Sequence, residues 1–187
     1  AQLKLLFVGR LTPDKGWGFT CKALEVFFQT TPADQIALLI AGDGSMRDEI
    51  AQALQPLTPH VHFLGRVAPQ QVPALYANSD IHVTTSEKEA RGLTVLEAFA
   101  SAIPVLAPRA GGLMENINDG WNGFLYEPQS IPDFVDKLQQ LHQSPQQRQQ
   151  MGQRGKEQME DYSWEKAVQN LVSLWQAEIA SLSLGPE

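Results

Sequence analysis

Short apolar runs alternate along this chain with stretches in which apolar residues recur every three or four positions. The runs are Leu3–Val8, Gln35–Ala41, Val61–Leu64, Ile81–Thr84, Val105–Ala107 and Gly123–Tyr126. Their apolar residues are consecutive, as suits parallel strands covered on both faces. Between them, helical patterns cover about Gly16–Thr30, Met46–Leu57, Pro69–Ala77 and Leu93–Ser101, with a short turn near Leu113–Asn118. Such alternation predicts βαβ units with right-handed crossovers. The expected class is α/β: a Rossmann-like, doubly wound parallel sheet of about six strands, with helices on both faces and a helical C-terminal tail.

The pattern changes after Tyr126. Residues 128–187 read as helices only: Ile131–His142, Pro145–Tyr162 and Trp164–Leu182. The middle one is polar and rich in glutamine, which predicts a solvated helix. The last carries Val168, Leu171, Val172, Leu174, Trp175 and Ile179 in a broad apolar stripe. That stripe has to cover something, either this sheet or a part outside the chain.

The 187 residues fit one domain, 1–187, with the helical tail included. A formal charge of -7 argues against nucleic acid as a partner. The single cysteine, Cys21, excludes an internal disulfide and a cysteine-based metal cluster, and its apolar neighbours make it a core residue. The longest apolar run, Ile36–Ala41, is far short of the ~20 residues of a membrane-spanning helix. The chain opens on a strand with no signal peptide before it, so it is expected to be soluble and cytoplasmic. Peripheral contact with the inner face of a membrane through another segment stays open.

In an open parallel sheet, functional groups gather at the carboxyl ends of the strands. After the first strand comes Gly9-Arg10-Leu11-Thr12-Pro13-Asp14-Lys15-Gly16. Arg10 offers a planar fork to phosphate oxygens and Lys15 a point charge, or both are ordinary charges of a surface loop. The spacing is not that of a Walker loop. After the second strand, Gly42-Asp43-Gly44-Ser45 predicts a tight turn, with Ser45 capping the next helix. After the third, Gly65-Arg66-Val67 is either a docking place for a base or a plain connection.

The fourth strand leads into Glu89-Ala90-Arg91-Gly92-Leu93-Thr94-Val95-Leu96-Glu97, two carboxylates eight positions apart across a loop that becomes a helix. The unpaired amides of Gly92, Leu93 and Thr94 suit an anion, because the helix dipole adds roughly half a positive charge there. Glu97 sits among apolar residues, which predicts that its carboxylate is partnered, by ligand hydroxyls or by a nearby cation. After the fifth strand, Gly111-Gly112 predicts another amide-lined concavity. The four histidines show no ligand or triad spacing, and His62 and His82 read as packing residues within strands.

The ordered set of these segments resembles the C-terminal, donor-binding domain of retaining glycosyltransferases of the GT-B fold, in the large group 1 family (family four). The likeness runs from about Phe7 to Trp175. It is carried by Val8-Gly9-Arg10-Leu11 with Lys15-Gly16, Ala41-Gly42-Asp43-Gly44, Phe63-Leu64-Gly65-Arg66-Val67 and Tyr76-Ala77-Asn78-Ser79-Asp80. The paired-acid segment, Gly111-Gly112 with Glu115, Asn122-Gly123-Phe124-Leu125 and Tyr162-Ser163-Trp164 continue it. The resemblance implies that Arg10 and Lys15 hold the donor diphosphate and stabilise the leaving group. It implies further that Glu89 contacts the hydroxyls of the donor sugar and Glu97 binds the ribose. The amides near Gly92, Leu93 and Thr94 would cradle the phosphates, and Arg66 and Val67 would frame the base.

The implied reaction moves a hexose-type sugar from a UDP-, GDP- or ADP-sugar to an acceptor, with retention and with no metal or other cofactor required. Two departures stand out. Ala90-Arg91-Gly92 replaces the usual Gly-Phe-Gly, so Arg91 either meets an anionic sugar or acceptor or faces solvent. Ala102 stands where a glycine is common. The N-terminal, acceptor-binding domain that such an enzyme needs as a partner is expected to be missing, leaving the fragment inactive alone. The alternatives are an enzyme like the nucleotide-sugar epimerases and a non-catalytic nucleotide-sugar-binding module.

Overall fold

The computed structural model describes residues 2–162, 166, 168, 169 and 171–176. Its elements run β1 (Leu3–Val8), α1 (Trp17–Thr30), β2 (Ile36–Ala41), α2 (Arg47–Ala53), β3 (Val61–Gly65), α3 (Val72–Ala77), β4 (Ile81–Val83), α4 (Leu93–Ala100), β5 (Val105–Pro108), α5 (Leu113–Asn116), β6 (Gly123–Tyr126), α6 (Ile131–Gln143) and α7 (Pro145–Met159). The strands form one sheet in the order β3-β2-β1-β4-β5-β6. Every pairing in it is parallel.

The strands sort their side chains onto two apolar layers, because successive residues of a strand point to opposite faces. Leu3, Leu5 and Phe7 of β1 pack with Leu24 and Phe27 of α1, Ile50 of α2 and Phe134, Leu138 and Leu141 of α6. Leu6 of the same strand points the other way, toward Tyr76 of α3, Val95, Ala98 and Phe99 of α4 and Leu113 of α5. Each fully buried leucine or phenylalanine contributes roughly 2 kcal/mol. The chain leaves β1 toward the first layer and leaves β4 toward the second. A crevice therefore opens between the carboxyl ends of β1 and β4.

Three expectations need correction. Strand β3 is not covered on both faces: as an edge strand it alternates half-buried and exposed residues, so His62 is exposed rather than packed. The glutamine-rich α7 is more than a solvated helix. Met151, Gly152 and Gly155 are buried, and the two glycines bring it close to α4 and to the turn that follows it. A Cβ at Gly155 would lie 2.4 Å from the Phe99 ring, and one at Gly152 would lie 2.0 Å from the Ala102 carbonyl oxygen. Ser45 does not cap α2; Met46 holds that position without a side-chain cap.

Of the apolar stripe beyond α7, Val168, Leu171, Val172, Leu174 and Trp175 are exposed, so these five residues do not cover this sheet. Trp164, Ile179 and Leu182 lie outside the described residues. Among the described residues, no helix is long and apolar enough to cross a membrane.

Candidate functional site: the crevice between β1 and β4

The loop after β1 is stitched to its neighbours through glycine. The Gly9 amide donates to the Ala41 carbonyl at 3.0 Å, the Leu11 amide to Asp43 at 3.0 Å and the Met46 amide to Leu11 at 2.9 Å. These bonds extend the parallel pairing past the strand ends. At Gly16, φ is +75°, and a Cβ would lie 2.3 Å from the Thr85 carbonyl oxygen, so only glycine fits. The Thr85 hydroxyl donates to the Lys15 carbonyl at 2.9 Å and sits 2.6 Å from the Thr20 hydroxyl. The backbone of Lys15 is thus held against the loop that follows β4.

Its side chain reaches the same loop. Lys15 Nζ donates to Glu89 Oε2 at 2.8 Å, with both side chains about one-quarter exposed. Two residues 74 positions apart in sequence meet because β1 and β4 are neighbours. An ion pair this accessible is worth on the order of 1 kcal/mol, so an incoming anion can compete for the ammonium.

The Glu89–Arg91 stretch is supported from behind by α5. The Gly112 amide donates to the Glu89 carbonyl at 2.9 Å, and Asn116 Nδ2 donates to the Arg91 carbonyl at 2.7 Å. A Cβ at Gly112 would lie 2.0 Å from the Ala90 carbonyl oxygen. The glycine pair is therefore a close-packing contact rather than the predicted amide-lined concavity, since the Gly112 amide is already used. Gly92, at φ +62°, caps α4. The amides of Leu93 and Thr94 have no acceptor within the helix, and Leu93 is exposed at the surface.

Arg10 lies in the β1 loop with Lys15, and its NH2 is 3.4 Å from Asp14 Oδ2. Arg66 Nε is 3.9 Å from Asp43 Oδ2. Both guanidinium groups are largely solvated, so these pairs constrain them little. Arg10, Arg66 and Val67 line one cleft of about 620 Å³ with Gly9, Gly42 and Asp43. The Gly44 amide donates to Asp43 Oδ1 at 2.9 Å, which is the expected turn chemistry.

Glu97 is exposed rather than sunk into its apolar helix. It lines a second depression of about 440 Å³ with Tyr76 and Ser101, and Val67 and Val72 form walls of both. The partner of its carboxylate is the Tyr76 hydroxyl, 3.1 Å away. Tyr76 is fully buried, and burial followed by the nearby Glu97 charge pushes its hydroxyl pKa upward.

The structure thus gathers the sequence-derived residues into two adjoining groups. Lys15 and Glu89 meet at the β1/β4 crevice, and the Gly92–Thr94 helix start follows Glu89 in the same loop. Arg66, Val67 and Glu97 stand beside α3 and α4, with Arg10 between the groups on the shared cleft. Sequence reasoning assigned no role to Thr20, Thr85 or Tyr76. Tyr76 alone carried a signal: an isolated hydroxyl-bearing aromatic in a short apolar helix. Cys21 is partly buried, and burial followed by the Glu49 charge raises its thiol to about 11.

A six-stranded parallel sheet in the order 3-2-1-4-5-6, with helices on both faces, defines a doubly wound, Rossmann-like α/β domain. Comparison with known proteins identifies which kind. Residues 1–158 match the family described as glycosyl transferases group 1, and the chain belongs to that family. It is 32% identical over 167 residues to the sulfoquinovosyl transferase of Arabidopsis thaliana, covering 88% of this chain and 31% of that protein. It is 30% identical over 187 residues to the D-inositol 3-phosphate glycosyltransferase of Corynebacterium glutamicum, covering 97% and 45%. The chain thus spans about a third to a half of the length of these relatives.

Among solved structures, the C-terminal domain of the group 1 family protein LpcC from Francisella tularensis superposes with a TM-score of 0.74 at 31% identity, over 84% of both chains. Anabaena HepE in complex with UDP and glucose superposes with a TM-score of 0.79 at 25% identity, over 94% of this chain and 48% of that one. The domain is a C-terminal domain of the GT-B type.

Proposed function

We propose that this chain is the donor-binding half of a retaining glycosyltransferase. The full protein takes a hexose-type sugar from a nucleoside diphosphate and transfers it to an acceptor held by a second, N-terminal domain. The observation that carries the reading is Lys15 Nζ on Glu89 Oε2 at 2.8 Å, at the crevice between β1 and β4. A cation for the leaving diphosphate and an acid for the sugar hydroxyls already share one point. The UDP in HepE, a relative by fold and sequence, supports a nucleoside diphosphate donor.

In this reading the diphosphate takes Lys15 from Glu89, with Arg10 and the Leu93 and Thr94 amides as further donors. Negative charge that builds on the leaving oxygen meets fixed positive charge, which lowers the barrier without a metal ion. Freed from Lys15, Glu89 accepts hydrogen bonds from the sugar. Arg66 and Val67 frame the base, and Glu97 accepts from the ribose hydroxyls. The domain alone binds donor and transfers little sugar, because the acceptor site is elsewhere.

A thermal-shift panel of UDP, GDP, ADP and their sugars tests this. One nucleoside diphosphate should stabilise the chain, and Lys15→Ala should abolish that stabilisation. Failure of all of them to bind, or sugar transfer by this chain alone at full rate, would refute the reading.

A further inference from the structure

The proposed ribose acid, Glu97, is an exposed carboxylate on a flexible stem. Left alone it samples several rotamers, and binding ribose would first have to freeze one. One contact removes that freedom. Tyr76 approaches from beneath, from α3, with its ring fully buried and its hydroxyl 3.1 Å from Glu97 Oε2. Tyr76 Oη also lies 3.1 Å from the Thr94 carbonyl. A phenol has one proton for the two acceptors. The Thr94 carbonyl is neutral and lies inside α4, where the helical ladder already offers it an amide. The carboxylate is charged and accepts the stronger bond. The ring cannot swing away, because His82 stands edge-on to it at 5.5 Å between centroids. Tyr76, Glu97 and Val67 line the same depression.

We propose that Tyr76 is a positioning residue: its hydroxyl, anchored in the core, fixes the Glu97 carboxylate toward the groove where the ribose of the donor nucleotide docks. This rests on the ribose role given to Glu97 above. With one oxygen held by Tyr76, the other is presented to the ligand, and the ordering is complete before the nucleotide arrives. The phenol stays protonated at any working pH, since burial and the neighbouring carboxylate both disfavour its anion. It is therefore a permanent donor.

The test compares UDP with 2′,3′-dideoxy-UDP by calorimetric titration of the 187-residue chain, its Tyr76→Phe variant and its Glu97→Gln variant. The phenylalanine keeps the ring and removes only the hydroxyl. Wild type should bind UDP about tenfold more tightly than the dideoxy compound, and Tyr76→Phe should cut that preference to about threefold or less. Affinity for the dideoxy compound should stay unchanged, which a general structural role would not allow. Glu97→Gln should lose the preference too, and adding Tyr76→Phe to it should change nothing further. A full UDP preference in Tyr76→Phe, or an equal loss for both ligands, overturns the inference and leaves the donor reading standing. A wild type that binds both compounds equally overturns the ribose role of Glu97, and the inference with it. If Tyr76→Phe does not fold, the wild type still decides. Its Tyr76 hydroxyl proton should be protected from solvent in the NMR spectrum and should shift with UDP and not with the dideoxy compound. A rapidly exchanging hydroxyl, or the same shift with both, refutes the proposal.

Discussion

His82 makes this domain acid-sensitive well above the carboxylate range. It sits on β4 beneath the crevice, fully buried. Its Nδ1 is 3.2 Å from the Leu6 carbonyl, which only accepts, so that nitrogen carries the proton of the neutral ring. Nε2 is buried with no hydrogen-bond partner in the protein. Protonation would place a charged N–H there with no acceptor. Burial accordingly drives the pKa from its ordinary 6.5 to about 4, against a small opposing pull from the Leu6 carbonyl.

The fold therefore keeps His82 neutral where the unfolded chain protonates it. Stability is complete above about pH 6.5 and is lost as pH falls toward about 4. At about pH 5 the loss from this residue is about 2 kcal/mol, or roughly 4–8 °C in Tm for a domain of this size. His142 is displaced in the same direction, by its burial and by Arg148, and adds to the trend. Thermal melts and urea titrations at about pH 8 and about pH 5 should be run on the wild type and on His82→Gln. The glutamine can still donate to Leu6 and cannot titrate. Its starting stability falls, and its pH-dependent loss should be about 2 kcal/mol smaller than that of the wild type. Equal pH dependence in the two proteins would refute the assignment of the acid sensitivity to His82.

Other outcomes follow from single positions. Ala102 has φ +57° in the turn after α4, so Ala102→Gly should relieve more left-handed strain than it adds in unfolded-state entropy, a gain of roughly 0.5–1 kcal/mol in a urea titration. Gly155→Ala should do the reverse, losing roughly 1–2 kcal/mol despite better helix propensity, because the new methyl meets the immobile Phe99 ring. Gly112→Ala has no room before the Ala90 carbonyl, so it should displace the Glu89 loop and weaken nucleotide binding by calorimetry more than it lowers Tm. With its thiol raised to about 11, Cys21 should react with Ellman's reagent far more slowly at neutral pH than in the unfolded chain.

The α/β class was readable from the chain because its signals are local. A run such as Ile36–Ala41 or Val105–Ala107 is apolar at consecutive positions wherever the strand lies, and the carboxyl ends of such strands collect polar loops in any parallel sheet. The spacing of Glu89 and Glu97 and the glycine of Gly92 likewise belong to one contiguous segment. The family resemblance rests on the same local segments taken in order.

What the residues do to one another was decided by strand order. That β1 lies beside β4 brings Lys15 onto Glu89, and no pattern within either loop contains that adjacency. The same holds for Gly112 against Ala90, for Gly155 against Phe99 and for Tyr76 under Glu97. Read in the chain, a glycine pair could line a ligand site or let two backbones touch, and a glutamate in an apolar helix could be buried or stand at its rim. Sequence periodicity reports which side of an element is apolar. Only packing between distant segments settles which neighbour fills a gap or answers a charge.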